Sequence, residues 1–234
     1  MDGVVVVTGA NGHIGNNLCK DLVANGYSVK GTVRSMDKAP DIKMDFVVAD
    51  VLKAGDWHEV FKGTTGLFHL ATIYSTSEDG QLILDTANLG TENVFRAAAA
   101  AGIKRIVYTS SVAAIGSTPR KVLKDESNWN SNFSLPYTRA KTESEKRAWE
   151  LAEELDLDLR VINPSGVLGG SFSRPTPSTD IIGDAMKGKY PVVPKIPLAF
   201  VHVEDVATAH RLAYENDDAN GRYLLAPHQG GNIH

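Results

Sequence analysis

Hydrophobic residues fall along this chain in short blocks separated by polar stretches of helical period. Val4–Val7 is a run of four valines, apolar on both faces of an extended chain, as in a strand buried within a parallel sheet. The run stops at Thr8 and a glycine-rich turn. Ile14, Leu18 and Leu22 then recur at helical spacing until Asn25-Gly26 ends the pattern. The alternation continues. Strands are predicted over Tyr27–Arg34, Asp45–Val51, Gly66–Ala71, Lys104–Ser110 and Leu157–Asn163, with a short extended piece over Phe200–Val203 and a last strand over Arg222–Leu225. Helices are predicted over Trp57–Phe61, Gln81–Ala101, Pro136–Leu155, Ile181–Lys187 and Glu204–Glu215. Gly116–Leu135 reads as a loop, Pro164–Gly170 as a turn, and the polar, proline-broken Ser171–Ser178 as a mobile lid.

Strand and helix in alternation, with short links, predict an α/β fold: a Rossmann-type, doubly wound parallel sheet covered on both faces. Ligands of such sheets sit at the carboxyl ends of the strands. Gly9, Arg34, Asp50, Ala71 and Ser111 all fall at such ends and are expected to line one crevice. Residues 1–164 then form the dinucleotide-binding core. Residues 165–234 form a small substrate-binding portion interleaved with it.

Composition narrows the function classes. With 234 residues and 42% hydrophobic content the chain can bury a large core, which excludes disorder. The net charge of −4 is spread over both signs with no basic run, so no nucleic-acid partner is expected. Cys19 is the only cysteine, so no internal disulfide forms, and its place in the first helix marks it as a packing residue. No apolar run is long enough to span a membrane, and the first strand begins too early for a signal peptide. A cytoplasmic protein without a metal site is expected.

The candidate chemistry starts at Gly9, Gly12 and Gly15. A strand that ends in such a turn and opens a helix is a phosphate cradle, because unpaired N–H groups and the helix dipole favour an anion there. At the end of the second strand stand Arg34, Ser35 and Lys38, with no carboxylate before Asp37. In dinucleotide folds an arginine at this point accommodates a 2′-phosphate, so NADP(H) is the expected cofactor. Asp50 is placed to meet the adenine edge. Tyr137 and Lys141 lie one helical turn apart. A phenol titrates near 10, and a neighbouring ammonium lowers that value, which suits a tyrosine to exchange a proton with a carbonyl oxygen. A serine hydroxyl nearby would hold the same oxygen.

These motifs together resemble the extended short-chain dehydrogenase/reductases. TGANGHIG matches the glycine turn of that group, YTSSVAAIG its serine, YTRAK its tyrosine and lysine, and INPSGVLGG the segment after the sixth strand. GTVRS, FHLAT, KDESNWNS and FVHVEDVATAH are similar to the dihydroflavonol and cinnamoyl-CoA reductases and their microbial carbonyl-reducing relatives. The resemblance implies roles. Ser111 would be the catalytic serine, with Ser110 a substitute. Tyr137 would be the acid/base, and Lys141 would lower its pKa and bind the nicotinamide ribose. Asn88 would support the site. Asn11, Gly12, His13 and Ile14 would follow the pyrophosphate. Asp50 and Val51 would border the adenine, Leu70, Ala71 and Thr72 would pass the cofactor, and Pro164, Ser165, Gly166 and Val167 would meet the nicotinamide amide. His202 and Asp205 would anchor the last helix.

The resemblance implies an NADPH-dependent reductase that transfers hydride to a ketone or aldehyde of a small organic substrate. An NAD-dependent nucleotide-sugar epimerase or dehydratase, and a non-catalytic dinucleotide sensor, share the core motifs and remain alternatives. The expected partner is a small carbonyl or alcohol, walled by Ile73, Tyr74, Ser111, Phe172 and Arg174. Members of the group run on further past the segment matched by GRYLLAP, so a substrate portion that is small or cut short is expected here. The protein is expected to be a monomer or homodimer. The helices from Gln81 and Pro136 could pair across a two-fold axis, but their apolar faces also fit the core.

Overall fold

The valine run becomes the centre of a sheet. The computed structural model describes residues 3–72, 80–117, 122–170, 172, 176–190 and 198–226. The strands are β1 (Val4–Thr8), β2 (Ser28–Val33), β3 (Asp45–Val48), β4 (Thr64–His69), β5 (Arg105–Thr109), β6 (Asp158–Pro164), β7 (Gly166–Leu168), β8 (Phe200–His202) and β9 (Gly221–Leu225). The helices are α1 (His13–Ala24), α2 (Trp57–Phe61), α3 (Gly80–Ala100), α4 (Val112–Ile115), α5 (Pro136–Glu154), α6 (Pro177–Met186) and α7 (Val203–Glu215). Seven strands form one parallel sheet in the order β3-β2-β1-β4-β5-β6-β9. The chain leaves β1 toward β2 and β3, then returns to the other side at β4. That reversal opens the crevice at the carboxyl edge between β1 and β4.

The inner strands present mostly apolar residues to both faces because each face is covered. Val6, Leu67, Ile106 and Val161 point into a core closed by α2, α3 and α5, with Trp57, Phe61, Phe95 and Leu151. Their neighbours Val5, Val7, Phe68, Val107 and Ile162 point into a second core closed by α1 and α7, with Leu18, Leu22 and Ala207. Period-two alternation therefore selects between two apolar cores; in β6 Arg160 breaks it, its buried guanidinium donating to the carbonyls of Ala219 and Ala213. Cys19 lies in the second core, where burial pushes its thiol up to about 12, an inert packing residue. Among the described residues no helix is long and apolar enough to cross a membrane, and no cluster of metal-ligating side chains occurs.

Three local expectations change, and one segment with no expectation proves helical. The third strand stops at Val48 rather than Val51, because Asp50 makes a turn. Its Oδ1 accepts from the N–H of Leu52 (3.0 Å), and its carbonyl accepts from that of Lys53 (2.9 Å). The segment after Ser111 is a short helix, α4, capped by Ser111 itself. Pro164–Gly170 is not a plain turn: Gly166–Leu168 pairs in parallel with Phe200–His202 as a small second sheet. The helix expected from Ile181 begins at Pro177, because Thr176 caps it in a reciprocal box with Thr179. Thr176–Ser178 therefore belongs to a helix start, and Ser171 and 173–175 of the expected lid lie outside the described residues.

Candidate active site

The turn after β1 is built from missing atoms. Gly9 adopts φ +68°, and a Cβ there would lie 3.1 Å from Ala71 Cα. A Cβ on Gly15 would lie 2.2 Å from the Gly9 carbonyl oxygen, so α1 packs directly on the turn. Gly12 is the N-cap of α1. It offers no side-chain cap, and no acidic residue stands in the first turn. The first N–H groups of α1 are thus left for another acceptor, and no carboxylate of that first turn repels an anion. This cradle fits a pyrophosphate. Thr8 joins it to β4: its Oγ1 accepts from the N–H groups of Leu70 (2.9 Å) and Ala71 (3.0 Å) and contacts His69 Nδ1 (2.9 Å).

His13 departs from a simple phosphate lining. Its ring stacks on Phe172, with centroids 5.2 Å apart, and bonds to the backbone of Gly169 and Gly170. Burial holds its pKa below the usual histidine value, and its Nε2 has no partner among the described residues. One wall of the cradle is thereby tied to the segment that follows β7. Of the other expected substrate residues, Ile73, Tyr74 and Arg174 lie outside the described residues.

Arg34 and Lys38 are exposed just past the end of β2. Ser35 Oγ donates to Asp37 Oδ1, so that carboxylate is turned onto its neighbour. Asp50 is half-buried in its turn, where its N–H donates to Asp56 Oδ2 at 3.0 Å. Val51 packs against Gly90 of α3, where a Cβ would come within 2.8 Å. Pro164 closes β6. Ser165 and Gly166 donate their N–H groups to Leu225 and Ala199, at 2.9 and 3.1 Å, which fixes this segment across the carboxyl edge. Val167 sits in β7.

The candidate catalytic residues lie where β5 ends against α5. Lys141 is only 3% exposed, and its Nζ donates to the Thr109 carbonyl at 2.9 Å. Burial pulls it down to about 8, opposed by the charge of Glu145, so it stays cationic at neutral pH. Tyr137 is half-buried one turn earlier on the same helix. Ser111 follows β5 directly, and its Oγ accepts from the Ala113 N–H at 3.1 Å. The Ser110 hydroxyl is buried without a partner among the described residues. Asn88 lines a surface groove between α3 and α5 with Leu89, Glu92, Glu143 and Arg147, and its Oδ1 is buried without a described partner. His202 caps α7, its Nδ1 accepting from the Glu204 N–H, and Asp205 stands in that helix's first turn.

Three residues that sequence reasoning missed lie beneath this centre. Glu145, on α5, accepts from Arg222 of β9 at 2.5 Å and from Asn163 of β6 at 2.8 Å. Asn163 Nδ2 also reaches the Ser111 carbonyl at 3.2 Å. One signal was available: Glu145 stands four residues after Lys141 and so shares its buried face. An arginine inside the strand-like GRYLL also asks for a buried partner.

Comparison with known proteins agrees with this geometry. Residues 5–226 match the NAD dependent epimerase/dehydratase family model. The chain belongs to that family. Within it, the chain is 34% identical to cinnamoyl-CoA reductase 1 of Petunia hybrida, over 95% of this chain and 72% of that protein. It is 34% identical to tetraketide alpha-pyrone reductase 2 of Arabidopsis thaliana, over 94% and 77%. Among solved structures, Candida albicans Gre2 in complex with NADPH superimposes with a TM-score of 0.80 at 31% identity, covering 95% of this chain and 78% of that one. The glycine cradle and the YxxxK helix of this epimerase/dehydratase family member are the elements described above.

Proposed function

We propose that this protein is an NADPH-dependent carbonyl reductase acting on a ketone or aldehyde of a small organic substrate. The observation that carries the reading is Lys141, a buried cation on α5 one turn after Tyr137; its Nζ holds the Thr109 carbonyl at the end of β5, the strand that Ser111 follows. When bound along the carboxyl edge, a reduced nicotinamide supplies hydride. Tyr137 gives its phenolic proton to the substrate oxygen, and the Lys141 charge favours the phenolate left behind. Ser111 Oγ accepts from Ala113, which leaves its own proton to hydrogen-bond the same oxygen. The curated relatives named above are reductases, and a similar solved structure holds NADPH; both support this chemistry.

The 2′-phosphate reading rests on Arg34, with Lys38 beside it. The test is a panel of ketones and aldehydes assayed by loss of NADPH absorbance, repeated with NADH. At least one carbonyl should be reduced with NADPH preferred. Arg34→Ala should raise the KM for NADPH about 10–100-fold and change that for NADH little, since a charge-assisted bond is worth about 1.5–3 kcal/mol. Equal kinetics with both cofactors would remove the phosphate contact. NAD⁺ retained through purification, with no carbonyl reduced, would favour an epimerase.

A further inference from the structure

We propose that Glu145 is a positioning residue of the catalytic centre: clamped beneath it by Arg222 and Asn163, it supports the cation of Lys141 and, through Asn163, fixes the strand end that carries Ser111. The inference rests on the reductase reading above. Glu145 is fully buried, and both of its oxygens are engaged. Oε1 accepts from Arg222 Nε at 2.5 Å. Oε2 accepts from Asn163 Nδ2 at 2.8 Å and Arg222 Nη2 at 3.4 Å. The same Asn163 amide donates to the Ser111 carbonyl at 3.2 Å. A single side chain thus joins the carboxylate to the backbone of the serine.

Arg222 is held in turn. Its Nη1 donates to the carbonyls of Glu126 and Asn128, both at 2.6 Å, and its guanidinium lies 4.0 Å from the Trp129 ring centroid. An ion pair that only tied β9 to α5 could be replaced by apolar contact with little loss, because desolvating two charges consumes most of their attraction. This pair stands beside a third buried charge. Lys141 faces His69 from β4 and Tyr108 and the Thr109 carbonyl from β5, with Tyr137 and Glu145 one turn before and after it on its own helix. Burial keeps His69 and Tyr108 neutral, with pKa values of about 3 and about 12. Glu145 is therefore the anion among these neighbours, and it opposes the burial that draws Lys141 down to about 8. Loss of Glu145 should make Lys141 partly neutral at pH 7 and loosen the Ser111 strand end.

The test uses the full chain. Glu145→Gln keeps the shape but leaves Arg222 an unpaired buried cation, so Glu145→Gln/Arg222→Gln is made beside it. Folding is checked by circular dichroism. Lys141 is titrated in the cofactor-free protein through its ¹³Cε signal, assigned with Lys141→Met. In whichever variant folds, the Lys141 midpoint should fall by about one pH unit. In the same variant kcat at pH 7 should fall about 2-fold, as the cationic fraction of Lys141 falls to about half, with little change in carbonyl KM, and the alkaline loss of reduction should begin at lower pH. Glu145→Asp should restore part of kcat. An unchanged Lys141 titration in a folded variant would overturn the proposal and leave Glu145 a clamp between strands. A parent protein that reduces no carbonyl, while Lys141 still shifts, would sink the reductase reading and not the coupling of Glu145 to Lys141.

Discussion

The two ends of the cleft are made from different materials. At the β1–α1 turn the surface is backbone, and the specifying feature is the absence of atoms at Gly9, Gly12 and Gly15. At the β5–α5 end the candidate groups are side chains, and Lys141, Ser111, Glu145 and Asn163 are all buried. The first end tolerates change in any side chain that points away but admits no added carbon. The second tolerates backbone detail but needs specific partners drawn from α5, β6 and β9. One end should therefore fail through affinity and the other through rate.

The sharpest way to break this contrast is Tyr137→Phe. The ring remains to pack at the start of α5, and only the hydroxyl is lost. Folding and NADPH binding should survive, while kcat falls by about 10²–10⁴-fold, the usual worth of general acid–base catalysis. Stopped-flow binding and steady-state reduction measured on one preparation separate the two quantities. Near-parental turnover would move the proton donor elsewhere and leave the dinucleotide cradle as it stands.

Gly15→Ala probes the other end. The added Cβ would meet the Gly9 carbonyl oxygen at 2.2 Å, the Gly9 carbonyl carbon at 3.0 Å and Ala10 Cα at 3.2 Å. All three are backbone atoms and cannot swing away, so the cradle must open. The expected cost is about 3 kcal/mol, the upper range for overpacking, or roughly 100-fold in NADPH affinity by calorimetry. Gly12→Ala should do less, since its Cβ meets only the Gly9 oxygen, at 3.2 Å. Equal affinities for Gly15→Ala and the parent would mean that phosphate is not held by this backbone.

The contrast also explains what could be read from the chain. The cradle, the inner strands and α5 follow from local spacing: a valine run, three glycines, a tyrosine and lysine one turn apart. The pairing of Gly166–Leu168 with Phe200–His202 was not legible, because both strands are three residues long and carry no period. The Glu145–Asn163–Arg222 cluster was hidden for a related reason. Its members lie on three elements, and nothing local says that β9 returns beside β6. Ser111 was placed by its strand end, but its second duty as the cap of α4 needed coordinates. The turn at Asp50 was misread as strand because its side chain, which ends the strand, sits in a run of apolar neighbours.

The smallest effect concerns a device that the two ends share. Each is pinned by a threonine bonded to a buried histidine. Thr8 Oγ1 already accepts two N–H groups, so its proton goes to His69 Nδ1, which must be an acceptor in a neutral ring. His210 Nδ1 lies 2.7 Å from the Val206 carbonyl and therefore carries the hydrogen, which leaves Nε2 to accept from Thr109 Oγ1 at 2.7 Å. Burial depresses both rings, His69 to about 3 and His210 to about 4. An unfolded histidine takes its proton near 6.5. Below that pH the unfolded chain holds more protons than the native one, so stability falls as pH falls, by up to about 1.4 kcal/mol per pH unit for each ring. Above 6.5 the contribution is complete and flat. Burial lowers His13 as well, and it adds to the same slope. Lys141 does not: it titrates at about 8 in the native protein, so its effect is spent above pH 7. Urea unfolding between pH 6.5 and 5 reads the slope while most carboxylates stay ionised. His210→Gln should keep a hydrogen-bonding group beside Thr109 and reduce the slope by about 1.4 kcal/mol per pH unit. The same slope in that variant would mean that His210 is already protonated in the native protein, and that the β5 end is not pinned as the β1 end is.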